Sequence, residues 1–377
     1  MRPGRIPLSS GTVAVLFAAA LALTPSVAYA SEAGTVYTWG AVDSQTSPLR
    51  FPQRVEPLTE VTEIDAGNSS AYALEKNGTV WAWGQNEDGE LGNGTVVSSA
   101  SAVHVNMPAG VKIVSIGESQ DSGLAVDSTG HGWAWGLRGA SCNPGANAYT
   151  ATPQEVQGLG SIVSVQGGEH HSLWLTSSGT IYACGTNAQG QLGVPNLSST
   201  STPVRVPGLG HVVEISAGER TSCARTSNGE IYVWGADNHG QVGNGQFREE
   251  VTSPYHVPLP GPASEISCGG NLPTNGHTLA VVGGTLYGWG ADAFGQVGDG
   301  AEEDKSLPVD TGMNFETVVA SGVSSFGIED GVLFSWGNHA SGILGTGSAR
   351  DALEPEEVES GVTQVSSTAH IAAYLYR

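Results

Sequence analysis

The residues that could carry chemistry are few, and their spacing fits none of the common reactive arrangements. No lysine follows a glycine, so the G-x-x-x-x-G-K-[ST] phosphate loop is absent and the recurring glycines read as turns. H-E-x-x-H and G-x-S-x-G are also absent, which removes the metalloprotease and esterase signatures. His170 and His171 are adjacent. Neighbouring side chains of a strand point to opposite faces, so the pair reads as one packed and one solvated ring rather than a chelate. The segment from Asn86 to Glu90 lacks the acidic frame and distal glutamate of a calcium loop and reads as a solvated turn. The four cysteines, Cys142, Cys184, Cys223 and Cys268, form no C-x-x-C; they permit three disulfide connectivities or stand as isolated buried thiols. These patterns give no catalytic residue, no metal site and no cofactor.

Charge offers a different chemistry, that of recognition. Glu118, Glu169 and Glu219 each follow the glycine of a similar corner in three successive segments, with Gln120, His170 and Arg220 beside them. Such a set reads either as solvated turn acids or as an acidic rim for a basic protein surface, since complementary potentials steer association. A second candidate binding region is the set of Gly-Gln-Leu-Gly-type loops around His239 and Phe294.

Composition agrees with a binding role. Lys+Arg 14 against Asp+Glu 36 gives a net charge of -22, and the only lysines are Lys76, Lys112 and Lys305, so nucleic acid is a poor partner. A hydrophobic fraction of 39% supports a packed core. The 54 glycines disfavour helices and suit short strands joined by tight turns. Residues 1–30 carry Arg2 and Arg5, an apolar run from Val13 to Leu23, and Ala28-Tyr29-Ala30, the pattern of a secretory signal peptide cleaved before Ser31. The apolar run is shorter than the ~20 residues of a membrane span. The expectation is an extracellular, acidic monomer without membrane contact.

What must position these residues is a repeat. The strand Gly34-Thr-Val-Tyr-Thr-Trp39-Gly40 recurs as Gly78 to Gly84, Gly130 to Gly136, Gly179 to Gly185, Gly229 to Gly235, Gly284 to Gly290 and Gly331 to Gly337. Seven copies about 50 residues apart mean a repeat architecture. An aromatic and the tryptophan share one strand face and small or aliphatic residues the other, so each strand is packed on both sides. Cys184 replaces the tryptophan in the fourth copy, and Gly132 replaces the aliphatic residue in the third. A preceding apolar strand, a Gly-x-x-Gly loop absent from copies one and three, and a Pro-x-x-Val-type strand complete about four strands per copy, one propeller blade. The chain begins with the second strand of the hairpin and ends with the first, His370 to Tyr376, so pairing the termini closes a ring. The fold class is therefore all-β, a seven-bladed propeller of four-stranded antiparallel blades. It occupies residues 31–377 as one domain.

The G-x-hydrophobic-aromatic-x-W-G strand, the G-Q-L-G loop and the segment from Gly168 to Leu175 resemble the regulator of chromosome condensation repeat family over residues 34–377. The resemblance implies a seven-bladed propeller that binds other proteins. Among its members are an exchange factor for a nuclear GTPase and a secreted bacterial inhibitor of β-lactamases, which is nearer in context to an exported chain. The leading functional expectation is a secreted, non-enzymatic propeller that binds a partner protein and inhibits an extracellular enzyme. The alternatives are nucleotide exchange on a small GTPase, by family analogy, and a carbohydrate-binding or hydrolytic site in the central channel.

Overall fold

The structure is a computed structural model and describes residues 34–41, 47–68, 70–137, 142, 148–270, 275–368 and 370–376. The segment read as a signal peptide lies outside these residues. Among the described residues, seven four-stranded antiparallel sheets account for all regular structure except a three-residue 3-10 turn, Ala340–Gly342. Blade 1 comprises Val61–Ala66, Ser70–Glu75, Val80–Gly84 and Ser99–His104, ordered from the axis outward. Blades 2 to 6 repeat this order over residues 113–155, 162–205, 212–257, 263–314 and 317–360.

Burial follows from that order. The second strand of blade 1 is buried at every position, because a neighbouring blade covers each face, whereas its outer strand is half solvated. Inner strands alternate buried and accessible positions, one side packed and the other facing the axis. Each inner strand touches the next, and that of blade 7 touches that of blade 1, so the ring is closed.

Blade 7 makes the closure. Its strands are Val362–Ser367 and Ile371–Tyr376 from the end of the chain, then Thr35–Gly40 and Leu49–Arg54 from the beginning. Thr35 lies opposite Tyr376, Val36 opposite Leu375 and Gly40 opposite Ile371, so the terminal strands pair as the sequence predicts.

The motif tryptophans join one blade to the next. Trp39, Trp83, Trp135, Trp234, Trp289 and Trp336 are all fully buried. The Trp135 indole N–H donates to the Glu90 carbonyl of blade 1 (2.6 Å), Trp234 to Gln191 of blade 3 (2.9 Å), Trp289 to Gln241 of blade 4 (3.0 Å) and Trp336 to Gln296 of blade 5 (3.1 Å). Each acceptor lies in the Gly-x-x-Gly loop of the preceding blade. The loop's second glycine must let the ring in: at Gly243, with φ of +78°, an added Cβ would lie 2.8 Å from Trp289 Nε1.

The blades that lack this loop, 7 and 2, make their junctions without it: the Trp83 indole N–H at the blade 1 side of the first has no hydrogen-bond partner among the described residues, and at the second two sequence irregularities meet. Blade 2 lacks the loop and blade 3 has Cys184 where the tryptophan belongs; a disulfide from Cys142 to Cys184 ties the two blades instead. Trp174, on the second strand of blade 3, fills the remaining space, and Gly132 accommodates it because a Cβ there would lie 2.5 Å from the indole. The second disulfide, Cys223 to Cys268, likewise crosses between blades, 4 to 5. The open question of cysteine pairing is thus resolved, with no free cysteine among the described residues. Closing loops of 42 and 45 residues restricts the unfolded chain. Replacing Cys142 and Cys184 together with serine is therefore expected to lower unfolding free energy by about 2–4 kcal/mol. Urea denaturation of the oxidised proteins checks this.

Candidate functional site

The first position to explain is why acids sit near the axis at all. Residues from the inner strands of all blades line a central channel. Its polar side chains satisfy backbone donors of the neighbouring blade that the sheets leave unpaired. Glu63 accepts from the Ile116 amide (3.2 Å) and Ser115 Oγ (3.2 Å), Glu214 accepts from the Ile266 amide (3.2 Å), and Ser366 Oγ accepts from the Ala66 amide (3.0 Å) while donating to Asp65 (2.8 Å). Burial then dominates their acidity: it raises Glu63 to about 7, Asp65 to about 6 and Glu265 to about 8.

At one end of the channel the corners between inner and second strands form a narrow opening. Backbone bonds run around it from blade to blade: the Gln120 amide donates to Gly168 O (3.2 Å), Glu169 to Glu219 O (3.0 Å) and Gly270 to Ser321 O (2.8 Å). Glu118, Gln120, Glu169 and Glu219 all line this opening. The registers correct the reading of a common corner: Ser122, His171 and Thr221 lie opposite the motif glycines Gly136, Gly185 and Gly235, so Gln120 is the counterpart of Glu169 and Glu219, and Glu118 stands two residues earlier, within its inner strand Ile113–Ser119. His170 and Arg220 stand beside them: Arg220 Nε lies 2.9 Å from Glu169 Oε2 and 3.9 Å from Glu219 Oε1, and His170 Nε2 lies 3.5 Å from Glu169 Oε1.

The acids are not the solvated rim expected of turn residues. Glu118 is 5% exposed, its carboxyl 3.5 Å from Ser70 Oγ on blade 1, and the Glu219 side chain is 9% exposed. Glu118 belongs to the inner strand Ile113–Ser119, and its carboxyl occupies the space over Gly67 of blade 1, where an added Cβ would lie 1.5 Å from Cδ. Burial, reinforced by Asp65 and Asp121, pushes Glu118 well above the usual carboxylate range. Burial and then Glu169 raise Glu219 to about 8.

His239 and Phe294 do not join this group. They lie in the loops of blades 4 and 5 after the third strand, which antiparallel topology places on the same face but farther from the axis. His239 Nδ1 is 2.5 Å from Asp304 Oδ2, and the Phe294 amide donates to Gln296 Oε1 (3.0 Å). The adjacent histidines divide as expected. His171 is fully buried with Nε2 2.9 Å from Ser222 Oγ, while His170 is 37% exposed.

Sequence reasoning missed the residues that shape the loops. Asn86, Asn187, Asp237 and Asp292, two positions after the motif glycine, accept the amide of the residue five ahead at 2.7–3.0 Å. Asn86 is therefore a buried loop organiser, and Glu90 is also buried, which corrects the reading of that segment as a solvated turn. The channel acids Glu63, Glu214 and Glu265 were missed as well, although all three occupy the third position of an inner strand. Among the described residues no group of three His, Cys, Asp or Glu converges on a metal position, and no helix is long and apolar enough to cross a membrane.

The raised carboxyls make a sign prediction for stability. A carboxyl whose pKa rises on folding keeps its proton in the native state where the unfolded chain has lost it, so stability falls as pH rises through the folded value. His171 and His277, held neutral by burial with values near 3, act oppositely: their contribution is lost as pH falls below the ordinary histidine value of 6.5. Glu63, Glu118, Glu219 and Glu265 outweigh the histidines above that value. The melting temperature is expected to rise as pH is lowered from about 9 to about 6.5. Scanning calorimetry across that interval checks the direction.

The arrangement defines a seven-bladed propeller with an acidic channel mouth. The chain matches the RCC1-like domain over residues 3–273 and the regulator of chromosome condensation (RCC1) repeat over residues 330–375, and it belongs to this family. It is 28% identical over 297 residues to the ultraviolet-B receptor UVR8 of Arabidopsis thaliana, covering 75% of this chain and 55% of the receptor. It is 29% identical over 180 residues to protein pim1 of Schizosaccharomyces pombe, covering 43% of this chain and 33% of pim1. The chain thus spans about half the length of the first of these curated relatives and a third of the second. In fold it is similar to human WBSCR16 (TM-score 0.81, 20% identity, 92% of this chain and 99% of that one). It is similarly close to Prp20p of Saccharomyces cerevisiae, whose structure is described with its binding to Gsp1p and histones (TM-score 0.80, 22% identity, 91% of each chain).

Proposed function

We propose that this chain is an exported propeller that works by binding, gripping a basic protein surface across the acidic mouth of its channel and thereby inhibiting an extracellular enzyme. The observation that carries the reading is the convergence of Glu118, Glu169 and Glu219 from three consecutive blades on one opening. The longer loops emerge on the same face, and a rigid ring presenting adaptable loops suits recognition of a folded partner. A net charge of -22 and the amino-terminal pattern of a secretory signal support an extracellular, cationic partner. Binding to Gsp1p and histones is stated for Prp20p, and the shared propeller makes protein binding the reading of choice here.

The test immobilises residues 31–377, recovers the proteins retained from culture supernatant, and measures association of the main retained protein by surface plasmon resonance. Glu118→Gln, Glu169→Gln and Glu219→Gln combined are expected to slow association at low salt and about pH 9, above the value of about 8 to which burial and Glu169 raise Glu219, with the deficit shrinking as salt rises. Equal on-rates for wild type and triple variant at low salt would remove the acidic mouth from recognition. Unchanged turnover of a retained enzyme by saturating propeller would remove the inhibitory role.

A further inference from the structure

The channel mouth contains more than a concentration of charge. It encloses a cavity of about 80 Å³, several times the ~10–15 Å³ that one water occupies on the same measure. Two buried polar atoms of residues lining it receive no hydrogen bond from a donor among the described residues, Glu219 Oε2 and Thr368 Oγ1, and the Glu219 carboxyl shares its proton with Glu169. They stand on different blades, 4 and 7. Much of the lining between them is small, with Gly168, Gly218, Gly269 and Ala320 leaving the opening unobstructed. A buried carboxyl pair held by one proton and an unpartnered hydroxyl on one cavity specify a ligand rich in donors.

We propose that this cavity receives one arginine side chain of the bound protein, with Glu219 as its anchor and Thr368 Oγ1 as a further acceptor. The proposal rests on the binding role above and names the group that enters. A guanidinium offers five donors in a planar fork, which matches acceptors spread over separate walls better than a compact ammonium does. A metal ion is the poorer occupant, because no coordinating trio converges among the described residues.

The charged surroundings set what happens to the proton. Glu169 faces Glu219 and raises it, Arg220 opposes that effect, and Glu118, Asp121 and His170 complete the charged neighbourhood. Arg220 is committed to Glu169 Oε2 and lies farther from Glu219, so it does not satisfy Glu219 Oε2. Glu219 holds its proton at neutral pH in the free protein, and an arriving guanidinium displaces it. Entry is therefore a cation-for-proton exchange.

The experiment uses residues 31–377 and a rigid cyclic peptide bearing one arginine, with the citrulline counterpart as a neutral control and spermidine as a free polyamine. Titration calorimetry near pH 7 in two buffers of different ionisation heat reads affinity and proton release together. The arginine peptide is expected to bind at least about tenfold more tightly than the citrulline peptide, because the hydrogen bond of a buried charged group is stronger than that of a neutral one. It should release a proton. Glu219→Gln should remove both effects, while Glu303→Gln, the same charge change on an exposed loop residue, should leave them. Equal binding of the two peptides, or equal binding by the two variants, would overturn the proposal. Tighter binding of spermidine than of the peptide would also overturn it by assigning the cavity to free polyamines. Failure of the peptide with the triple-variant on-rate deficit intact sinks only the pocket; the reverse result sinks only the protein-binding reading.

Discussion

Deleting residues 375–377 together with residues 35–37 is expected to unfold the whole ring rather than fray its ends. The deletion removes Leu375 and its partner Val36, which are 1% and 0% exposed, and breaks the register from Thr35 to Tyr37. Burying two such side chains contributes about 1.5–3 kcal/mol each, and each lost backbone hydrogen bond about 1 kcal/mol more. The sum is a large share of the ~5–15 kcal/mol that a folded domain has to lose. Because inner strands contact each other around the full circle, opening blade 7 also uncovers faces of blades 6 and 1. Guanidinium denaturation followed by tryptophan fluorescence reads the loss. A truncated protein melting within about two degrees of the full one would show that the terminal strands do not hold the ring.

Trp234→Ala is expected to cost about 3–5 kcal/mol. The side chain is fully buried in the contact of blades 3 and 4, and its indole N–H donates to Gln191 O. Removing it leaves a cavity that the sheet framework cannot close by relaxing, and the loop of blade 3 loses its tether. Trp234→Phe separates the two contributions: it keeps much of the packing and loses the hydrogen bond, for about 1 kcal/mol plus a smaller cavity. An unchanged denaturation midpoint for Trp234→Ala would mean that the motif tryptophans do not join the blades.

The sequence reveals whatever repeats, because seven copies average out local ambiguity. The Trp-Gly strand, the hairpin glycine and the incomplete units at the termini are read by comparing copies, and the pairing of Val36 with Leu375 follows from them. Departures from the repeat were visible but not interpretable. Cys184 in place of tryptophan, Gly132 in place of an aliphatic residue, and the missing loop of the third copy were separate oddities. Only spatial adjacency shows them to be one junction, with Cys142 joined to Cys184 and Trp174 set over Gly132.

The candidate site was legible in identity and not in environment. The shared corner of Glu169 and Glu219 was readable, and Glu118 lines the same opening, but the glycine before Glu118 is not the corner glycine: Gln120 holds the corner position in blade 2. Their burial was not readable, because it depends on how closely seven corners approach the axis. The Glu169 amide bonds a carbonyl about 50 residues away, and no local pattern encodes that distance. Glu63 and Glu265 escaped notice for a related reason: an acid in a strand ordinarily marks a solvated face, and here that face is the narrow channel.

Hydrogen–deuterium exchange of residues 31–377, alone and saturated with the protein retained from supernatant, tests most directly whether the acidic channel mouth is the binding face. Protection is expected in the corners at residues 118–121, 167–170 and 218–220 and in the loops around His239 and Phe294 on the same face. Protection confined to the opposite end, at the hairpins around Asn77, Ser178 and Asn228, with the corners exchanging at their free rates, would contradict it.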